Sequence, residues 1–377
     1  MGSQKGFFEA VAILVGTMIG AGIFALPYAV EQIGLIPGLT VMGLVALMVM
    51  LLYLLLGELS LSTKGLHHFT GFAEVYLGKW GKWTMLFTMA ISMYLPLLAY
   101  TVAQGEIITN IFGGDQQINS LLYFSFCAVC VFFGMHVFRR FEFIINIAFI
   151  ILVVAITFLA APSFSLDKIA HIDWRGVAMP YGVILFAFGG GSAVPLMRAV
   201  LKGQEEKMRS ALITGVIIVF ALYTVFAFVL AGALGDKVTP IVTLSLGETI
   251  GPMAVLVANL FAFFAMTSCF LSLGSSLQLM YRHDFGLGKT LAWLLTISVP
   301  LSLFFVGFNN FFALINLSGA VAGGLESMLL LIIYWRLRHL RKTGRTPEYR
   351  LDQYLFIIVI LFLMFMSGLV YSLYESI

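Results

Sequence analysis

Charged side chains are scarce in this sequence, at 10% of 377 residues against 61% hydrophobic, with a mean hydropathy of +1.02. No water-soluble core absorbs that much apolar surface, so a soluble domain is excluded and an all-α polytopic membrane protein is expected. The alternation of a membrane β-barrel is missing as well. Cysteine is rare: Cys127, Cys130 and Cys269 all fall inside apolar runs. That excludes a disulfide framework, and Cys127-x-x-Cys130 has no second pair with which to hold zinc. The three read as small buried hydrophobes. His, Asp, Glu and Cys nowhere gather at one depth as a membrane enzyme needs, so no enzyme is expected, and no cofactor beyond a coupling ion. No polar segment is long enough for a separate domain, and no obligatory protein partner is evident. The net charge of +3 does not point to nucleic acid, because the basic residues are used for topology. The first apolar run continues past a signal-peptide core and lacks a small-residue cleavage pattern, so it is expected to remain a span.

What the chain does have is eleven apolar runs: 7–32, 37–62, 83–112, 118–135, 141–161, 177–199, 210–234, 251–281, 289–306, 311–335 and 353–374. A cytoplasmic N-terminus puts 18 of the 21 Lys and Arg residues on the inner side, leaving only Lys168, Arg175 and Lys237 outside. So strong a bias sets the orientation of a multi-pass protein in the cell membrane, with an extracytoplasmic C-terminus. The charged loops 136–142 and 202–209 read as topology anchors. The segment 64–82 reads as an interfacial helix on the inner face, whose adjacent His67 and His68 splay apart and make a poor metal pair. Outside, 162–176 and 238–250 are polar enough to cover the mouth.

Two runs are badly made for a continuous helix. Gly16-Thr17-Met18-Ile19-Gly20-Ala21-Gly22-Ile23-Phe24-Ala25-Leu26-Pro27 puts three glycines and a proline near mid-membrane, at about 1 kcal/mol per Gly and about 3 for Pro relative to alanine. Taken alone, Gly16-x-x-x-Gly20 reads equally as a small-residue packing surface. Unwound backbone survives at that depth only when packed in protein or lining a cavity. The sixth run repeats the feature in Phe186-Ala187-Phe188-Gly189-Gly190-Gly191-Ser192-Ala193-Val194-Pro195, five spans later and in the opposite direction. Matching interruptions in two five-span halves predict an inverted repeat with a midplane site at its interface. Repeat one covers 7–161, repeat two 177–335, and 353–374 is an added helix within one transmembrane domain, 1–376.

The first-run motif resembles the first-helix signature of the amino acid/auxin permeases and the related bacterial hydroxy and aromatic amino acid permeases, of the amino acid, polyamine and organocation superfamily. That resemblance implies a five-plus-five inverted repeat with helices one and six broken, and cation-coupled symport of a neutral, apolar or aromatic amino acid by alternating access. An amino-acid-sensing receptor or a channel on the same fold is the rival reading. In the resembling fold the substrate carboxylate takes amides around Gly20, Ala21 and Gly22, and its ammonium takes carbonyls near Ile19, Phe186 and Phe188. Candidates for the side-chain pocket are Tyr94, Leu97, Leu98, Phe188 and Ser272, with Gly189 leaving room; Tyr94 alone reads more readily as a packing aromatic. A bulkier residue at Gly22 is expected to abolish binding and leave the fold intact.

The coupling ion is open between Na+ and H+. Thr267 and Ser268 with the carbonyl of Phe264 offer hard oxygens for a small cation, although hydroxyls in membrane helices often bond back to their own helix. The resemblance adds the carbonyls of Gly16 and Ile19 to a sodium set. It also notes that proton-coupled relatives can carry a basic residue on the fifth span; 143–161 has none, while the bacterial relatives nearest in the first-helix motif are typically proton symporters. A proton route needs an intramembrane carboxyl, for which Glu58, Glu106 and Glu326 qualify.

Overall fold

The computed structural model describes residues 2–133, 150–247, 251–340, 345–351 and 354–376, and among them there is no β-strand. Among the described residues eight helices are long and apolar enough to cross a membrane, and a bent pair makes nine if it is counted as one broken span. The chain is therefore a multi-pass helical membrane protein. The bent pair is α1 (Gly2–Met18) and α2 (Leu26–Ile33), joined through a 3-10 turn at Ala21–Ala25 and bent by 50°. Next come α3 (Leu35–Ser62), α4 (Phe69–Phe112) and α5 (Gln116–Phe133). The run 141–161 lies partly outside the described residues and contributes α6 (Ile150–Ser163). The loop 136–142 lies outside them altogether.

The sixth run is two short helices, α7 (Tyr181–Ala187) and α8 (Ala193–Val200), separated by non-helical backbone at 188–192. Then follow α9 (Met208–Leu234), α10 (Pro252–His283) and α11 (Lys289–Val306). The tenth run is α12 (Phe311–Leu317), a π-helical turn at Ser318–Gly323 and α13 (Gly324–Leu340); the last helix is α14 (Tyr354–Ser376).

Glycine and proline divide the labour at both breaks. Gly20 is extended, at φ −145° and ψ −163°. Helix then resumes with Pro27 in the first turn of α2, where a missing N–H costs nothing because it has no intrahelical acceptor. Pro195 occupies the first turn of α8 in the same way.

Within the segment 64–82, expected as an interfacial helix, the structure has helix from Phe69 as the start of α4, which turns at Gly78 (φ 75°, ψ −163°) before its longer part begins. The segment following α6 acts as a strap. Leu35 donates to the Ile169 carbonyl at 2.8 Å, Asp173 to Ile33 at 3.1 Å and Ser165 to Gly232 at 3.0 Å, so 162–176 ties together the adjoining ends of α2, α3 and α9. The described part of 238–250 forms a 3-10 turn at Val242–Ser245 packed on α10. The core lies around the two broken spans: Ile23, Phe24, Leu26, Phe188 and Tyr223 are all essentially inaccessible.

Candidate functional site

The two breaks touch each other at two places, and glycine makes both possible. A Cβ on Gly22 would lie 2.9 Å from the Ala187 Cα and 3.0 Å from the Phe186 ring, and one on Gly190 would run into the Met18 side chain. The first break is thus pressed against the end of α7, and the second against the end of α1. Of the two readings of the first run, unwinding is what occurs: a Cβ on Gly16 would meet nothing within 4 Å and one on Gly20 only the Cys269 sulfur at 3.8 Å, and the close packing is at Gly22 instead.

Two tyrosines that sequence reasoning passed over satisfy the unwound backbone. Tyr223, on the helix after the second break, donates to the Met18 carbonyl at 2.6 Å, lies 3.1 Å from the Ala187 carbonyl and also faces the Gly20 backbone. Tyr53, on the helix after the first break, donates to the Phe188 carbonyl at 2.8 Å and accepts from the Gly190 amide. The helix that follows each broken span therefore caps the break of the other span. One sign of this was legible: Tyr53 follows Gly20, and Tyr223 follows Gly190, by the same 33 residues. A buried carbonyl left without its donor costs about 1–3 kcal/mol. Tyr223→Phe is therefore expected to lower thermal stability by about that amount and to weaken substrate binding about tenfold, read as a melting shift in detergent and by equilibrium binding; unchanged values would show that water replaces the hydroxyl freely.

Some of the polar backbone remains unused. The amides of Ala21 and Gly22 and the carbonyl of Ile19 make no backbone hydrogen bond, as expected for the first residues of a new helical turn. Of the other two expected acceptors, the Phe186 carbonyl takes the Gly189 amide at 3.0 Å and the Phe188 carbonyl takes Tyr53. Each keeps one lone pair. Among the three glycines of the second break only Gly189 is exposed.

Tyr94 is not at the breaks. Its hydroxyl lies 2.5 Å from that of Tyr281 and donates to the Leu295 carbonyl at 3.0 Å, joining α4 to α10 and α11. Leu97 packs near Gly274 of α10, and Leu98 is buried. The α4 aromatic that does reach the breaks is Tyr100, 3% exposed and close to Cys269 and Tyr223. Cys269 in turn stands 3.8 Å from where a Gly20 Cβ would be. Ser272 is on an exposed face of α10, one turn beyond the half-buried Ser268.

The sodium set is not brought together. The Thr267 hydroxyl bonds back to the Phe263 carbonyl at 2.6 Å, and Thr267 lies beside Tyr123 of α5. Cys269, about 200° away around the helix, is the α10 residue that faces the first break. Thr267 therefore points away from Gly16 and Ile19, and Ser268 and Phe264 lack the hydroxyl partner the set requires.

The three carboxyls divide sharply. Glu58 is held in an ion pair with Arg338 at 3.0 Å, with its other oxygen accepting from Tyr334 at 2.7 Å and from the Leu351 amide at 2.9 Å. So bound, its charge is compensated and both its oxygens are used within the protein. Glu106 is half-buried near the end of α4. Glu326 is half-buried three residues past the π-helical turn.

The comparisons with known proteins agree with this geometry. The chain is 22% identical over 329 residues to glutamine transporter 2 of Aliivibrio fischeri, covering 83% of this chain and 84% of that one. It is 24% identical over 218 residues to tyrosine-specific transport system 1 of Haemophilus influenzae, covering 56% and 54% of the two chains. System 2 of the same organism is 25% identical over 241 residues, covering 61% and 59%. Among solved structures, that of MhsT in complex with L-phenylalanine superposes with a TM-score of 0.66 at 16% identity over 99% of this chain and 98% of that one, which shows a shared fold. These relatives are transporters rather than enzymes. The model of the tryptophan/tyrosine permease family matches residues 3–371, and the chain belongs to that family.

Proposed function

We propose that this protein is a secondary active transporter that carries a neutral, aromatic amino acid across the cell membrane in symport with a cation, by alternating access. Its eleven spans form two inverted five-span repeats and an added helix, with the N-terminus inside and the C-terminus outside. The carrying observation is that two interrupted spans meet at Gly22 and Ala187 and leave the Ala21 and Gly22 amides and the Ile19 carbonyl unbonded beside each other. A zwitterion offers a carboxylate and an ammonium within a few ångströms, and adjacent backbone donors and acceptors grip both without charged side chains. To the surroundings of an aromatic substrate side chain this reading assigns Tyr100 and Phe188, both buried, with the exposed Gly189 leaving space. The relatives named for tyrosine and the solved neighbour holding L-phenylalanine support that choice.

The purified full chain in proteoliposomes, offered labelled L-tyrosine and L-phenylalanine with sodium and proton gradients imposed separately, is expected to accumulate substrate above equilibrium under one of them. Saturable binding without flux would make the protein a sensor.

A further inference from the structure

A groove of about 260 Å³ lies between α13 and α14, away from the two breaks. Leu331, Ile332 and Trp335 line it from α13, and Leu355, Val359 and Leu363 from α14; no lining residue is charged. Its floor is closed, because Leu331 is inaccessible, while Leu355, Val359 and Leu363 on its flank are each more than half exposed. It begins where α13 ends and α14 starts. From Leu355 to Leu363 it follows α14 for eight residues, about 12 Å at the helical rise. In a chain that crosses a membrane many times, an apolar face of this kind meets lipid tails.

The groove itself is apolar, and the charge is at its mouth. From Arg336 to Gln353 the sequence has six Lys and Arg residues against two acids, Glu348 and Asp352, which leaves that stretch at +4. Two of the six are engaged within the protein: Arg338 with Glu58, and Arg345 with Glu205 and Glu348. Arg336 and Arg350 are exposed and make no ion pair among the described residues. Arg336 follows Ile332 by one helical turn, so it shares that flank of α13 at the polar end of the groove. His339 follows Trp335 in the same way. Its ring lies 4.3 Å from the indole, centroid to centroid, and its Nδ1 is 3.1 Å from the Trp335 carbonyl. The indole is thereby held at the rim, the depth at which tryptophan is enriched in membrane proteins. An apolar trough, an aromatic rim and then unpaired cations match, in order, the acyl chain, the glycerol esters and the phosphate of a phospholipid. Basic pockets between membrane helices bind acidic lipid headgroups.

We propose that the groove between α13 and α14 binds an anionic phospholipid of the phosphatidylglycerol class, with an acyl chain along Leu331, Val359 and Leu363 and the phosphate on Arg336. A zwitterionic lipid fits the same trough, but its cationic headgroup gains nothing from a rim of the same sign. The rim also argues against a second copy as occupant. Two chains packed groove to groove about an axis along the membrane normal would set one basic stretch against the other. The orientation proposed above puts this end at the cytoplasmic leaflet, where anionic lipids attract basic segments next to a span. The site shares no residue with the two breaks, so it stands or falls separately from the transporter reading.

The test is native mass spectrometry of the full chain in detergent, titrated with dioleoylphosphatidylglycerol or with dioleoylphosphatidylcholine, and read as the affinity of the first lipid bound. Wild type is compared with Arg336→Gln, which removes the headgroup contact, and Val359→Trp, which fills the trough. Both positions are exposed, so the fold is expected to survive. Wild type is expected to prefer phosphatidylglycerol. Arg336→Gln is expected to weaken phosphatidylglycerol about fivefold, the attraction of one basic residue, and to leave phosphatidylcholine unchanged. Val359→Trp is expected to weaken both lipids. Should a variant fail to fold, wild type is crosslinked to phosphatidylglycerol carrying a photoreactive acyl chain and its peptides are mapped; adducts within 331–335 and 355–363 support the proposal, and adducts confined to other segments overturn it. Equal affinity of wild type for the two lipids, or an unchanged phosphatidylglycerol affinity in Arg336→Gln, overturns it. A dimer in lipid-free detergent that Val359→Trp dissociates also overturns it, by making this face a contact between copies.

Discussion

Valine at position 22 is expected to abolish amino acid uptake and to destabilise the protein measurably. A single Cβ there already falls 2.9 Å from the Ala187 Cα and 3.2 Å from its Cβ. The obstacle is another helix's backbone and not the far end of a flexible side chain. Two further methyl groups can be accommodated only by pushing α7 away from the first break, at a cost of about 1–3 kcal/mol for overpacking. The same displacement separates the Ile19 carbonyl and the Gly22 amide from the second break. Gly22 is both a binding residue in the proposed site and the contact that seats span against span, so loss of uptake is expected to come with a loss of stability. Gly16→Ala is the matched control: nothing lies within 4 Å of the added atom, and surface-like changes of that kind stay within about 0.5 kcal/mol. Melting in detergent and uptake in proteoliposomes should separate the two variants cleanly. Equal behaviour would mean that the breaks are not in contact in the membrane.

Arg338→Ala is expected to have an effect of comparable size through a different cause. Arg338 meets Glu58 at 3.0 Å, donates to the Tyr334 hydroxyl at 3.0 Å and to the Leu351 carbonyl at 2.8 Å. The Glu58 side chain is 2% exposed. Removing one partner leaves a buried charge uncompensated, which typically costs about 3–5 kcal/mol. The pair also fixes the segment 345–351 across the end of α3, helped by the Tyr349 hydroxyl bonding the Leu54 carbonyl at 2.7 Å. Arg198 at the end of α8 bonds the carbonyls of Thr63 at 3.0 Å and Gly65 at 2.8 Å, and that of Ser60, where α3 runs out. The end of α3 is thus fastened to α8, to α13 and to the segment beyond it. A double replacement by apolar residues, Glu58→Met with Arg338→Met, should recover much of the loss, since a well-packed apolar pair is often as stable as a buried ion pair. Thermal stability across the cycle of four proteins reads the coupling; additive effects would show that the ion pair is not formed.

The breaks were legible because glycine and proline carry a local energetic signature that needs no knowledge of neighbours: three glycines ahead of Pro27, and three ahead of Pro195. At both places the α-helix is interrupted. Residues whose roles are set by distant partners were not legible. Tyr94 and Tyr100 are six residues apart on one helix of a sequence with fourteen tyrosines, and only the packing of α10 and α11 separates the one that bonds Tyr281 from the one beside Cys269. Glu58 and Glu326 look alike as carboxyls in apolar runs, yet the arginine that neutralises Glu58 stands 280 residues further on. Spacing does not decide whether the Thr267 hydroxyl faces a ligand or its own helix; in the structure it bonds back to the Phe263 carbonyl. The exchanged tyrosines did leave a trace in their equal distance from a break glycine, a periodicity visible only once the repeat is suspected.

The most direct test of the claim that main-chain groups at the two breaks hold the zwitterion is a structure of the full chain with L-tyrosine bound. The account predicts the α-carboxylate within hydrogen-bonding distance of the Ala21 and Gly22 amides, and the ammonium on the Ile19 carbonyl. It predicts the aromatic ring against Phe188 and Tyr100. An amino acid bound elsewhere, or a first and sixth span that straighten into continuous helices, would contradict it.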